Sequence, residues 1–244
     1  MKSMECVTNR LAVLGAIVLA GALAANLHAQ TQPGKAVAEV VKGSAVYSPP
    51  GAAPIPLKAG TVLESGTTVK TAAGATVDLF LGKSAGYVRV TENTTLVLEK
   101  LALTDTGADT VVDVQLNLPE GTLLFDTKKK LSAASKYEIK IPNGVAGIRG
   151  SNGRINANGF VVLGDGKLVL VWVPATGTPT PYTLTAPPCV YFTPLEGVKP
   201  APEDLVKEYK GQMQNLGKVA AMVAGEAPEK VPYEDPFVSP AIGK

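Results

Sequence analysis

The sequence predicts an all-β fold of short strands, in sandwich or solenoid form, followed by one C-terminal α-helix and a disordered tail. Three observations carry that expectation. From Lys35 to about Val173, short apolar runs are punctuated by Gly, Asn, Asp and Pro, as in a chain of many short strands. Apolar and polar residues alternate there with period two, most clearly where Val112, Val114, Leu116 and Leu118 interleave with Asp113, Gln115 and Asn117. A helical period occurs only later, where Leu205, Tyr209, Met213, Leu216, Ala220 and Val223 recur at three- and four-residue steps.

Residues 1–29 read as a secretory signal. Lys2 and Arg10 stand against Glu5 in a charged start, Leu11 to Ala25 is an uncharged apolar run, and cleavage is expected after Leu27-His28-Ala29. The run is shorter than the roughly 20 residues of a spanning helix. An uncleaved anchor is the alternative, because Leu27 is a poor residue three places before the cut. Cys6 precedes the apolar run and so is not the lipidated first residue of a lipoprotein. The expected location is the periplasm or the cell surface.

The β domain is expected over 35–173. Val77, Leu79 and Leu81 alternate around Asp78 and Phe80, and Tyr137, Ile139 and Ile141 enclose Glu138 and Lys140. Asp165-Gly166, between the runs ending at Leu163 and starting at Leu168, signals a hairpin because these residues tolerate positive φ. A Gly-Thr step opens an apolar run at Gly60, Gly66 and Gly121, which suits corners of a sandwich or of solenoid rungs. Prolines then crowd 174–202, so a connector is expected, with edge strands near Tyr182–Leu184 and Val190–Phe192. The helix is expected over 203–224, with Pro202 at its start, Glu203 and Asp204 complementing the dipole and Gly225 ending it. Gly211 and Gly217 weaken it, so its stripe of Leu205, Tyr209, Met213, Leu216 and Val223 needs a surface, either the β domain or a second copy. Residues 225–244 mix Pro, Gly and charge without period and are expected to be disordered.

Composition removes several function classes. The 244 residues carry a net charge of +2 with 5% aromatics, which gives neither the basic footprint nor the stacking platforms that hold nucleic acid. Beyond residue 29 the chain keeps one cysteine, Cys189, and no histidine, so no internal disulfide, thiolate–imidazole metal site or His-based catalysis is expected. Cys189 lies between apolar neighbours and reads as a small buried hydrophobe. Asp78, Glu92, Asp126, Glu138 and Asp165 are the carboxylates open to acid–base work, but they sit at solvent-facing or turn positions and nothing pairs them in sequence. Lys128-Lys129-Lys130 beside Ser132 reads as a solvated loop, and Trp172, Tyr47, Tyr87, Tyr182 and Tyr191 as strand packing in preference to a sugar platform. Gly144, Gly147, Gly150 and Gly153 fall every third residue beside Arg149 and Arg154; corners with Arg149 bonded to carbonyls or a carboxylate are expected, not an anion cradle. No enzyme activity and no cofactor are expected.

Taken in order, several runs carry a family line: Leu57–Leu63, Gly66–Thr71, Val77–Leu81, Thr91–Leu96, Leu116–Leu123 and Tyr137–Pro142, closing in Val145-Ala146-Gly147-Ile148-Arg149-Gly150-Ser151. This succession resembles the FecR domain over roughly Ala38 to Val173, and its closing segment is the most specific part. The resemblance implies an extracytoplasmic, β-solenoid-like domain that binds protein instead of performing catalysis, with Gly147, Ile148, Arg149, Gly150 and Ser151 as family-motif and candidate interaction residues. Ser151 stands where the family usually has Thr. Full regulators of that family add a cytoplasmic arm that holds a sigma factor. Here only Met1–Arg10 precedes the apolar run, so no sigma factor is expected. The expected partner is another envelope protein or a second copy, with a cell-wall or exopolysaccharide glycan as the alternative suggested by the polar face of Asp113, Gln115 and Asn117.

Overall fold

The computed structural model describes residues 30–214 and 216, apart from 83, 107–108, 128–130 and 176. Gln30 aside, they belong to one compact unit, Thr31–Lys244. The expected signal with Cys6 and His28, the Lys128–Lys130 loop, Val223 and the expected tail lie outside the described residues.

The strands are β1 (Gln30–Pro33), β2 (Lys35–Lys42), β3 (Ala45–Ser48), β4 (Ile55–Pro56), β5 (Val62–Glu64), β6 (Thr68–Thr71), β7 (Thr76–Phe80), β8 (Tyr87–Val90), β9 (Thr95–Asp105), β10 (Thr110–Glu120), β11 (Thr122–Asp126), β12 (Lys136–Ile141), β13 (Gly144–Ile148), β14 (Asn152–Asn156), β15 (Val161–Trp172), β16 (Thr180–Ala186), β17 (Val190–Thr193) and β18 (Gly197–Pro200). The helix α1 (Glu203–Met213) follows. Sheet A has the order β4-β3-β6-β9-β10-β12-β13-β15-β16. Sheet B has the order β5-β2-β7-β8-β11-β14-β15-β17-β18. Because β15 belongs to both, the two sheets are one curled surface folded over a common core that includes Leu116, Phe125, Tyr137, Ile139 and Phe192. Among the described pairings only β10–β12 is parallel, which favours the sandwich alternative over parallel solenoid rungs.

The fold line is made by residues that tolerate positive φ. The Gly-Thr steps sit on it or beside it, with Gly60, Gly66 and Gly121 at φ 84°, 85° and 90°. At Gly121 a Cβ would lie 2.1 Å from Thr94 Oγ1, so the close approach of β8–β9 and β10–β11 admits no side chain. Threonines satisfy the backbone at this line: Thr94 N donates to Thr71 Oγ1 at 3.1 Å, and Thr122 N donates to Thr94 Oγ1 at 3.0 Å.

The alternation on β10 and β12 holds, with Val112, Val114, Leu116, Leu118, Tyr137, Ile139 and Ile141 buried. Three expectations are corrected. Gly164-Asp165-Gly166 makes no hairpin: β15 runs through it, pairing with β14 and β17 before the bend and with β13 and β16 after it. The positive φ of Gly166 turns the strand from one sheet into the other instead of reversing it. Stretch 174–202 holds the two expected strands, within β16 and β17, and is more regular than a connector because β18 follows and all three extend the sheets; two cis bonds, Ala186–Pro187 and Pro187–Pro188, lie in the turn between β16 and β17. The helix ends at Met213, not at Ala224. Trp172 and Tyr182 both pack on Phe192, with ring centroids 6.2 and 4.7 Å apart, as strand packing requires.

Candidate functional site

The motif segment forms a corner between β13 and β14. Ile148 is buried in the core. Arg149 Nη1 donates to the Ser135 carbonyl at 2.9 Å, and Gly150 takes φ 73°. Ser151 N donates to Thr127 Oγ1 at 2.7 Å, and Thr127 Oγ1 donates back to Ser151 O at 2.8 Å. Ser151 Oγ is buried without a hydrogen-bond partner among the described residues, so the corner uses the residue's backbone and not its hydroxyl. Burial removes Ile148 and Ser151 as contact residues. Gly147, Arg149 and Gly150 reach the surface.

Gly147 lies within the outer face of sheet A. Val145 pairs with Val171, and Gly147 with Val169, all pointing outward and half-buried; Val173 beyond them is 40% exposed. The rim is charged: Lys140 Nζ reaches Glu99 at 2.5 Å, Lys136 pairs with Glu138 at 3.1 Å, and Lys100 binds Asp113. Burial tends to raise the pKa of Asp113, but hydrogen bonds from Lys100 and Gln115 and the charges of Lys100 and Lys136 outweigh it and hold the carboxyl below its ordinary range.

The outer face of sheet B is covered by α1. One cross-strand row runs Asp78, Arg89, Leu124, Arg154, Val162 through β7, β8, β11, β14 and β15. Asp78 was expected in solvent and is 1% exposed. Arg89 binds it through Nε and Nη2 at 2.6 and 2.7 Å and donates from Nη1 to the Gln212 carbonyl of α1 at 2.9 Å. Arg154 donates to Glu208 Oε1 at 2.6 Å and Gln212 Oε1 at 2.8 Å, its guanidinium 5.2 Å above the Phe160 ring. Tyr209 and Leu216 are buried, Leu205 and Met213 half-buried, so the stripe docks on its own β domain.

The two predicted groups of residues meet at Asn152, next to Ser151, which accepts a hydrogen bond from Tyr209 OH at 2.7 Å. The Tyr209 ring lies on Gly164, where a Cβ would come within 2.4 Å of it. Burial, and then the neighbouring Cys189, Asp126 and Asp165, push the Tyr209 pKa up. An adjoining cleft of about 400 Å³ is lined by Asp126, Asn152, Asp165, Cys189, Tyr209 and Met213, among others. Asp126 and Asp165 flank Asn152 on neighbouring strands. Cys189 is half-buried, and its pKa is raised by burial against the opposing charge of Lys210. Of the other carboxylates, Glu92 accepts from Gly74 N at 2.6 Å. Among the described residues no cluster of His, Cys, Asp and Glu is arranged to hold a metal ion. Asp78 is among the carboxylates the sequence singles out, but its burial is not legible there, and Arg89 is not singled out at all; the only signal for the pair is the strand register.

No family model matches the chain. No curated protein matches it either. A solved structure from Parabacteroides distasonis, described as a candidate anti-sigma factor, is similar over 58% of this chain and 62% of that chain, with 13% sequence identity and a TM-score of 0.38.

Proposed function

We propose that this chain is a non-enzymatic, exported, FecR-like module that binds another envelope protein or a second copy of itself. The observation that carries the reading is the outward patch of Val145, Gly147, Val169, Val171 and Val173 on sheet A, flanked on its β12 side by Lys140–Glu99 and Lys136–Glu138 and on its β16 side by Pro181 and Thr183. An apolar centre bordered by polar and charged residues is the anatomy of a protein interface. The motif fits that use because its reactive groups are spent on the corner, while Gly147 leaves a shallow dip in the patch. The signal-like 1–29 supports export. The glycan alternative has less support, since Trp172 and Tyr182 pack against Phe192 and are not displayed as stacking surfaces.

The test is cross-linking in an intact envelope followed by mass spectrometry, with wild type beside a Val169→Glu/Val171→Glu variant. Enrichment of one protein or of the chain's own dimer, lost in the variant at unchanged melting temperature, supports the reading. Retention on insoluble cell wall by both proteins would move it to glycan. Hydrolysis of glycosides that Asp165→Asn abolishes would replace it with carboxylate chemistry in the Asp126–Asp165 cleft, where the strand register separates the two by roughly 10 Å.

A further inference from the structure

The patch on sheet A is made of two neighbouring outward rows. One runs Lys140, Val145, Val171, Pro181 across β12, β13, β15 and β16, and the other runs Glu138, Gly147, Val169, Thr183 across the same strands. At their β12 ends the rows carry opposite charges. One strand further on, the first row has the side chain of Val145 where the second has the bare backbone of Gly147. A half-turn about a line drawn between the rows, across the strands, therefore lays each row on the other row of a second copy. Lys140 comes to Glu138, Val145 to Gly147 and Val171 to Val169. Cation meets carboxylate and knob meets dip, twice each, as an isologous contact requires.

Charge and strand edges favour the same occupant. The ion pairs of this face join Lys100, Lys136 and Lys140 to Asp113, Glu138 and Glu99, so its charges cancel and a second copy is not repelled. The side chains of Lys140 and Glu138 are 39% and 27% exposed, which leaves both reachable while they are bonded to Glu99 and Lys136. Across the axis the two pairs become one run of alternating sign, Glu99–Lys140 against Glu138–Lys136 of the other copy. The sheet edges are poorer places for a copy to join. β4 spans two residues and β5 three, while β16 and β18 carry Pro181 and Pro200, which have no N–H to offer.

We propose, resting on the reading of this patch as an interface, that its partner is a second copy of the chain, seated face to face about a two-fold axis that lies between the two rows and crosses the strands. Five strands, from β10 to β16 in sheet order, by three outward rows cover about 500 Å² per copy. That is near the lower bound of a specific interface, so the dimer is weak, with micromolar dissociation.

The test is the mass of the full chain by sedimentation equilibrium from about 1 μM to 1 mM, a span that brackets such an affinity. Wild type is expected to pass from monomer to dimer over that span. Lys140→Glu puts carboxylates on both rows and Glu138→Lys puts cations on both, so each alone should weaken self-association at least about tenfold. Mixed in equal amounts, the two variants should form a heterodimer, because every contact between unlike chains again joins opposite charges. Gly147→Val fills the dip, and a Cβ built there meets only the Val169 carbonyl oxygen at 3.7 Å, so this variant should keep the wild-type melting temperature and lose the dimer. A wild type that stays monomeric, a dimer indifferent to Gly147→Val, or single variants that remain monomeric when mixed overturns the proposal. Envelope cross-linking separates this failure from failure of the interface reading. A monomeric wild type that captures another protein, with capture lost in Val169→Glu/Val171→Glu, overturns the second copy alone; no capture at all overturns both.

Discussion

Asp78 and Arg89 face each other across β7 and β8 and are joined by two parallel hydrogen bonds, Nε to Oδ1 at 2.6 Å and Nη2 to Oδ2 at 2.7 Å. Their side chains are 2% and 15% exposed, so the pair is an ion pair removed from water on the face that α1 covers. The bidentate geometry fixes the guanidinium in one plane and leaves Nη1 aimed at the last turn of the helix. One carboxylate thereby orients the group that receives the helix terminus.

Removing that carboxylate strands a buried cation. Asp78→Ala is expected to cost about 3–5 kcal/mol, the range for breaking a buried pair from one side. Replacing both, Asp78→Leu with Arg89→Met, should cost clearly less, because no charge is left unpaired. Urea unfolding of the three proteins checks this, and an Asp78→Ala loss under about 1 kcal/mol would mean that the pair is solvated.

Legibility in the sequence follows the range of the interaction. The alternation of Val112 to Leu118 is local and reads directly, as do the Gly corners and the stripe of Leu205, Tyr209, Met213 and Leu216. The burial of Asp78 does not read, because alternation around Val77 and Leu79 says only that Asp78 faces away from the core. Whether that second face is wet depends on an element more than a hundred residues later. The row Asp78–Arg89–Leu124–Arg154 is likewise a product of register between distant strands. Asp165-Gly166 misleads for a related reason: positive φ permits a reversal or a bend, and the partners β13, β14, β16 and β17 decide between them.

Two glycines separate conformational from steric cost. Gly74 has φ 69° with nothing within 4 Å of a built Cβ, so Gly74→Ala should cost only the left-handed penalty of about 1–2 kcal/mol. Gly166 has φ 85°, and its Cβ would lie 2.2 Å from the Gly150 carbonyl oxygen and 2.6 Å from Ser151 Cβ. Gly166→Ala should therefore add about 1–3 kcal/mol of overpacking at the motif corner. Thermal melts of both variants should rank Gly166→Ala well below Gly74→Ala; equal melting temperatures would refute the close approach.

The Cys189 thiol has a pKa raised by burial, with Lys210 opposing. Less thiolate is then present at a given pH than for a free cysteine, whose pKa is about 8.5. Alkylation by iodoacetamide should be slower than for a free thiol at pH 8, with a rate midpoint shifted upward. The stability linked to this group is full below the unfolded pKa and falls as pH rises through the folded one. A midpoint below that of a model thiol would contradict the burial.

Leu205 and Leu216 stand at opposite ends of the docked segment and differ in burial: Leu205 is half-buried, Leu216 4% exposed. An aspartate at 205 loses part of an apolar contact but gains from the helix N-terminus, where Glu203 and Asp204 already lie. At position 216 it loses about 1.5–3 kcal/mol of burial with nothing in return. Leu216→Asp should lower the melting temperature by about 5 to 10 °C and Leu205→Asp by a third of that or less. The loss is bounded by the docking free energy of α1, so adding Tyr209→Ala to Leu216→Asp should lower the melt little further once the helix is free. Because α1 docks on its own β domain, light scattering should give the same mass for both variants as for wild type; a mass that halves in Leu216→Asp would place the helix between two copies instead.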